Sequence, residues 1–334
     1  MMLASVIAFI TFTFIAPHYS KYAEYGYWSV VTIAAITQSG LKDTYLKGLM
    51  RLIGTIIGAL IGYLCAILAH GHIGIVLILF FIFVTFTSYI AIQHTIFSYA
   101  GVISGVTMII VLASSLIAMD LLFGIAVFRS LEVIKGIIIL FLINLLLAFI
   151  LDLPEEQFSI FWQKLKSLPN EFTQFRHQSM YVKAAIKISL ACLFTLGIWI
   201  YFRQLEGIWA AITCLLIMEE SKEATRIKSM LRFWAHVIAA LFGGICAIVI
   251  GDHLIWRVIP LALSFLVCGF IIGKENKYSS LGNTTGIAVA IMLLASPGFT
   301  SSFKIIGARF LNVLFGIIVS VIVTHYLWPR QKKA

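Results

Sequence analysis

The chain has 334 residues, 61% of them hydrophobic and only 11% charged, with a formal net charge of +10 at pH 7. A soluble globular chain carries about 25% charged residues. Here the apolar residues gather into runs such as Leu52 to Ala69, Ile73 to Ile92 and Gly136 to Leu151, each close to the ~20 residues a helix needs to cross hydrocarbon. The runs lack the alternation of a membrane-barrel strand, so composition excludes both a soluble domain and a β-barrel.

Taken in chain order, twelve segments are apolar enough to be spans. The first six lie near 3–17, 26–39, 48–69, 73–92, 97–117 and 124–151, and the second six near 183–202, 207–219, 231–250, 256–272, 281–297 and 305–328. Lipid offers backbone groups no water, so each must close its own hydrogen bonds as a helix. The expected fold class is all-α, a polytopic membrane protein of about 12 transmembrane helices in two parallel six-helix repeats. Residues 1–151 form the first repeat, 152–182 a cytoplasmic linker, and 183–334 the second repeat with a short basic tail. The first apolar stretch has no basic run before it, so a cleaved signal peptide is not expected.

The positive charge reads as topology rather than as a nucleic-acid surface. With the N-terminus inside, 17 Lys and Arg residues fall on the cytoplasmic side, Arg51 and Arg232 among them. Four fall on the outer side, Arg257 among them, and Arg129, Lys135 and Arg309 lie within spans. This bias follows the positive-inside rule and predicts a multi-pass protein of a bacterial-type inner membrane with both termini cytoplasmic. In the linker, Phe158, Phe161, Trp162, Leu165 and Leu168 fall at helical spacing. They fit an amphipathic helix on the inner leaflet or a plain connector.

Sliding the chain by 181 residues superimposes its halves. Gly26 meets Gly207, Trp28 meets Trp209, Thr32 meets Thr213, Thr44 meets Thr225, Lys47 meets Lys228 and Arg51 meets Arg232. Between 26–66 and 207–247 there are 13 identities in 41 ungapped positions. Near the end of each half the offset is 180, pairing Arg129 with Arg309 and Gly136 with Gly316. An even number of spans per unit makes the repeats parallel, related by an axis along the membrane normal.

The candidate site residues follow from this pairing. An ionisable residue within a span is costly and is a functional candidate by default. Arg129 and Arg309 would present two permanently charged guanidinium groups, suited to a carboxylate, unless both snorkel to the outer interface. Trp28 and Trp209 read as interfacial anchors or as a stacking surface for an aromatic ligand, with Thr32 and Thr213 on the same short segments. Those segments either are broken helices whose backbone faces a ligand or continue into cytoplasmic water. Glu132 is a candidate proton-coupling residue or a simple partner of Lys135, and its counterpart Asn312 cannot titrate. Gly54, Gly58 and Gly62, with Ala235, Ala239 and Gly243 opposite, form small-residue stripes for close helix packing. His236 reads as a packed, hydrogen-bonded histidine, and His70 and His72 as loop residues. The five cysteines lack metal-ligand spacing. No nucleophile–base arrangement, P-loop or dinucleotide fingerprint is present. Neither catalysis nor a metal or other cofactor is expected.

Several of these residues carry a resemblance. Tyr27-Trp28 followed by Arg51-Leu-Ile-Gly-Thr-Ile-Ile-Gly-Ala-Leu-Ile-Gly62 is similar to the fusaric acid resistance and aromatic-acid exporter family. So are Phe128-Arg129-Ser-Leu-Glu-Val-Ile-Lys-Gly136, Ala308-Arg309-Phe-Leu-Asn-Val-Leu-Phe-Gly316 and Leu327-Trp328-Pro329-Arg330. The six-span unit also resembles the aluminium-activated malate transporters, which are anion channels. The resemblance implies an inner-membrane secondary transporter that exports small organic, including aromatic, carboxylates, with proton coupling as an option. A passive organic-anion channel and a non-transporting scaffold are the alternatives. The implied partners are the organic anion, the bilayer, a homo-oligomer and, in some members, a periplasmic adaptor. The sizeable soluble domain of longer exporters has no counterpart in the linker here.

Overall fold

The computed structural model describes residues 1–14, 26–117, 119–151, 162–163, 165–166, 179–251, 253–274, 278–295 and 299–327. Twelve α-helices and no strand occur among them. The first half comprises α1 (Met2–Phe14), α2 (Tyr27–Ile36), α3 (Leu41–Ala69), α4 (Ile73–Ala91), α5 (Ser98–Ser115) and α6 (Leu122–Ile150). The second comprises α7 (Ser179–Phe202), α8 (Ile208–Ile217), α9 (Lys222–Ile250), α10 (Val258–Gly273), α11 (Ser279–Leu294) and α12 (Phe299–Tyr326). Eight helices are long and apolar enough to cross a membrane, whereas α1, α2, α8 and α11 are shorter. Of the linker residues with helical periodicity, only Trp162 and Leu165 fall within described helical pieces. Phe158, Phe161 and Leu168 lie outside the described residues.

Burial runs opposite to that of a soluble protein. Leu60, Leu64 and Leu68 on α3, Ile78, Ile82 and Phe86 on α4, and Leu241, Ile245 and Ile248 on α9 are exposed. Ser29, Thr32, Arg51, Arg129, Thr213, Arg232 and Arg309 are buried. An exposed shell of branched aliphatics costs nothing against acyl chains. The polar groups withdraw inward because lipid cannot solvate them.

The halves interlock rather than sit side by side. The first helix of each packs on the fourth of the other, α1 on α10 and α7 on α4. The second packs on the fifth of the other, α2 on α11 and α8 on α5. The two ten-residue helices α2 and α8 thus come to the centre, backed by α6 and α12 of their own halves. Glycine sets that backing distance. A Cβ on Gly136 would lie 2.5 Å from the Ser29 carbonyl oxygen, and one on Gly316 2.6 Å from that of Ala210. Both approaches forbid any larger residue, and they are the same contact at the repeat offset.

The stripe residues pack unequally. Gly54, Gly58 and Gly62 put α3 against α5, where a Cβ on Gly54 would lie 2.5 Å from the Ala100 carbonyl oxygen. A Cβ on Gly58 would overlap backbone atoms of Ser104. On α9, Ala235 and Ala239 are fully buried, and Gly243 faces Met292 of α11.

Candidate functional site

The short segments are genuine half-length helices. Ten residues give a helix of about 15 Å, half the ~30 Å of the hydrocarbon. Continuation into water at the C-terminal end does not occur. Thr37 turns extended with ψ 128°, and Met218 does the same with ψ 134°. Each break is held by one device used twice. The Gln38 N–H donates to the Thr44 hydroxyl at 2.9 Å, and the Glu219 N–H to the Thr225 hydroxyl at 2.9 Å. Thr44 and Thr225 sit in the first turn of the next helix, so a side chain bridges the interruption. Asn283 adds a cap in the first half alone, donating at 2.8 Å to the carbonyls of both Ala34 and Thr37.

At the other end of α2 and α8, four side chains form one stack. The Arg129 guanidinium lies 3.7 Å from the Trp28 ring centre, and that of Arg309 4.3 Å from the Trp209 ring centre. The two indoles face each other with centroids 6.3 Å apart and planes inclined by 17°. The order is Arg129, Trp28, Trp209, Arg309, palindromic about the centre of the molecule. All four are buried, and each arginine is 3% exposed. The tryptophans are therefore not anchors in a lipid-facing girdle. The arginines do not snorkel to water; their long stems turn inward onto the indoles.

The stack's charge is not symmetrical. Arg309 donates from Nε to Glu206 Oε2 at 3.1 Å and closes an ion pair through Nη2 to the same oxygen. Nε and Nη1 of Arg129 have no hydrogen-bond partner among the described residues, and neither does Nη1 of Arg309. A desolvated cation–π contact contributes about 2 kcal/mol, whereas burying an ion costs several kcal/mol after relaxation. The indole face alone does not offset the burial of Arg129. Among the described residues, what its Nε and Nη1 lack is an acceptor.

A second pair of arginines lies behind the stack. Nε of Arg51 donates to the Thr32 hydroxyl at 3.2 Å, and Nε of Arg232 to the Thr213 hydroxyl at 3.2 Å. Arg51 also reaches the Tyr99 hydroxyl at 3.2 Å. Counting these two arginines with the cytoplasmic loops misplaces them. The helices start at Leu41 and Lys222, so both lie about 15 Å inside, at 1.5 Å per residue, and both are buried. Arg257, counted with the outer loops, is buried as well and donates to the Leu293 carbonyl at 2.7 Å. The expected ligand-facing hydroxyls of Thr32 and Thr213 are acceptors for Arg51 and Arg232.

The remaining candidates sit close by. Glu132 pairs with Lys135 at 2.6 Å, leaving Oε2 buried without a partner among the described residues. Asn312 donates at 2.9 Å to the Leu205 carbonyl and at 2.7 Å to that of Ala308. His236 is buried, with Nδ1 2.9 Å from the Arg232 carbonyl oxygen. All five cysteines are buried and unpaired, and the described residues hold no His, Cys, Asp and Glu cluster able to bind a metal.

Glu206 escaped the sequence reading because it lies in a loop before α8, outside every apolar run. The offset of 181 does expose it. One position before the matched glycines, Tyr25 stands opposite Glu206, an unlike pair beside a like one.

Comparison with known proteins gives a consistent placement. The chain matches the fusaric acid resistance protein-like family over residues 3–143 and 188–323. It is similar to the p-hydroxybenzoic acid efflux pump subunit AaeB of Edwardsiella ictaluri (strain 93-146), with 24% identity over 167 residues. That match spans 46% of this chain and 25% of the relative, so the chain covers well under two-thirds of the relative's length. No solved structure matches it. With most of its length matched, this multi-pass helical membrane protein belongs to the fusaric acid resistance protein-like family.

Proposed function

We propose that the chain is a secondary transporter that exports small organic, chiefly aromatic, carboxylate anions. Arg129 holds the carboxylate, Arg309 is its counterpart at the far end of the stack, and Trp28 and Trp209 supply the aromatic wall between them. The observation that carries this reading is the buried Arg129, two of whose guanidinium nitrogens lack acceptors among the described residues, at the end of a paired indole stack. A carboxylate supplies both acceptors at once, since guanidinium binds it bidentately. The partial relative's name concerns efflux of p-hydroxybenzoic acid, an aromatic carboxylate.

Half-length helices meeting at the centre of a repeat protein are the usual setting of a transporter site, because their ends leave backbone groups for ligand. In this reading Arg51 and Arg232 position α2 and α8 through Thr32 and Thr213 and add positive potential behind the stack. Glu132, with one buried oxygen unpartnered among the described residues, is the proposed proton site. The protein sits in an inner membrane with both termini cytoplasmic, a placement that rests on the distribution of its Lys and Arg residues.

The test is carboxylate flux in liposomes holding the purified full chain, with p-hydroxybenzoate as probe. Flux should depend on an imposed pH gradient and fall sharply in Arg129→Ala. Unchanged flux in the Arg129→Ala, Arg309→Ala double variant sinks the site assignment. Flux that follows voltage alone, insensitive to Glu132→Gln, replaces the exporter with a passive anion channel. No flux of any organic acid tested leaves a scaffold.

A further inference from the structure

The two ends of the stack are geometric equivalents with different charge. On the Arg129 side, Arg51 adds a second buried guanidinium, held by the neutral hydroxyls of Thr32 and Tyr99. Neither arginine makes an ion pair among the described residues. On the Arg309 side, the guanidinium already carries a carboxylate, that of Glu206.

Glu206 is presented by a built loop. It takes a left-handed backbone conformation, φ 61°, between α7 and α8, and its side chain is 24% exposed. The preceding carbonyl, that of Leu205, is fixed by the Asn312 amide at 2.9 Å. The following residue is Gly207, where a Cβ would run into the Trp199 ring. Asn312 occupies the repeat position of Glu132, and Glu206 that of Tyr25. Among the described residues the carboxylate arm is therefore single, and its support comes from the position at which the halves differ.

We infer that Glu206 is a specificity-determining residue: as a tethered carboxylate on Arg309 it limits the stack to substrates with one carboxylate, seated on Arg129. This rests on the reading of the stack as the substrate site. The second charge of a dicarboxylate seated on Arg129 would enter the field of an arm that already holds a carboxylate. Like charges repel more where the dielectric is low, and the Arg309 guanidinium is already shared with Glu206. A monocarboxylate meets no such conflict, since its charge goes to the arm that lacks one.

The experiment measures binding of benzoate and terephthalate, the same ring with one and two carboxylates, to the purified full chain by calorimetry. Wild-type protein should bind benzoate more tightly by about tenfold or more. Glu206→Gln should tighten terephthalate by about tenfold and narrow or invert the ratio, while Glu206→Asp keeps the preference. The wild-type ratio needs no variant, so poor folding of Glu206→Gln does not remove the test. Equal wild-type binding of the two probes overturns the inference, as does an unchanged ratio in folded Glu206→Gln. If Arg129→Ala binds both probes as wild type does, or wild type binds neither, the underlying site reading fails instead.

Discussion

Around α2 and around α8 the same residues make the same contacts. Each arginine lies on its tryptophan, and each threonine hydroxyl accepts from the arginine of the following long helix. Each glycine lets the backing helix touch backbone. Three differences among the described residues bear on charge and capping. Glu206 balances Arg309 while Arg129 has no carboxylate among the described residues, Glu132 stands where the second half has Asn312, and Asn283 caps α2 alone. Shape is thus duplicated and charge is not. A stack with two identical ends would bind anions on both, or neutralise both. In the proposed reading, one balanced and one unbalanced end gives a single preferred place for an incoming charge.

The largest effect expected is on transport. Arg129→Ala should lower carboxylate flux by about 30-fold or more, because a buried charge-assisted contact to the substrate is worth about 2 kcal/mol or more. Arg309→Ala should cost about tenfold, at the lower end for such a contact, since Glu206 already satisfies part of that guanidinium. Equal losses in liposome flux would erase the asymmetry.

Stability should separate the halves next. Gly58→Ala forces a Cβ into the backbone of Ser104 and should cost about 1–3 kcal/mol, as overpacking does. Gly243→Ala meets side-chain atoms rather than backbone, Met292 Cβ at 3.2 Å and Ile306 Cδ1 at 3.5 Å, and should cost less than about 1 kcal/mol, since a shift of a few tenths of an ångström relieves it. Thermal unfolding in detergent that ranks the two the other way would contradict the packing described.

The smallest difference is expected where the halves match best. Thr32→Val and Thr213→Val each remove one acceptor from a buried arginine and should each destabilise by about 1–3 kcal/mol. The two costs should agree within about 0.5 kcal/mol. A large inequality would mean that Arg51 and Arg232, despite matching distances, do different jobs.

How much of this was legible beforehand follows from what kind of interaction carries each feature. The α-helical spans are local consequences of backbone chemistry in lipid, and their positions held, although α3, α9 and α12 begin at Leu41, Lys222 and Phe299, well before the apolar runs near 48, 231 and 305, and α7 begins at Ser179 rather than 183. Polar residues can extend a helix without being apolar, so hydropathy misses those starts, and with them the depth of Arg51 and Arg232. The equivalence of Arg129 with Arg309 and of Trp28 with Trp209 was visible as a repeat. Their meeting in one stack was not. A tryptophan near the end of an apolar run looks alike to hydropathy whether it faces lipid or another tryptophan. The deciding fact is that α2 packs on α11 and α8 on α5, which brings two half-length helices from opposite halves together.

The sequence by itself therefore determined the class, the helices and which residues are equivalent, because those depend on composition and on duplication along one chain. Only the tertiary structure decided which equivalents touch, and that Glu206 sits on Arg309, because those contacts span 181 and 103 residues of separation. Interlocking of the halves sets them, and no local pattern encodes it.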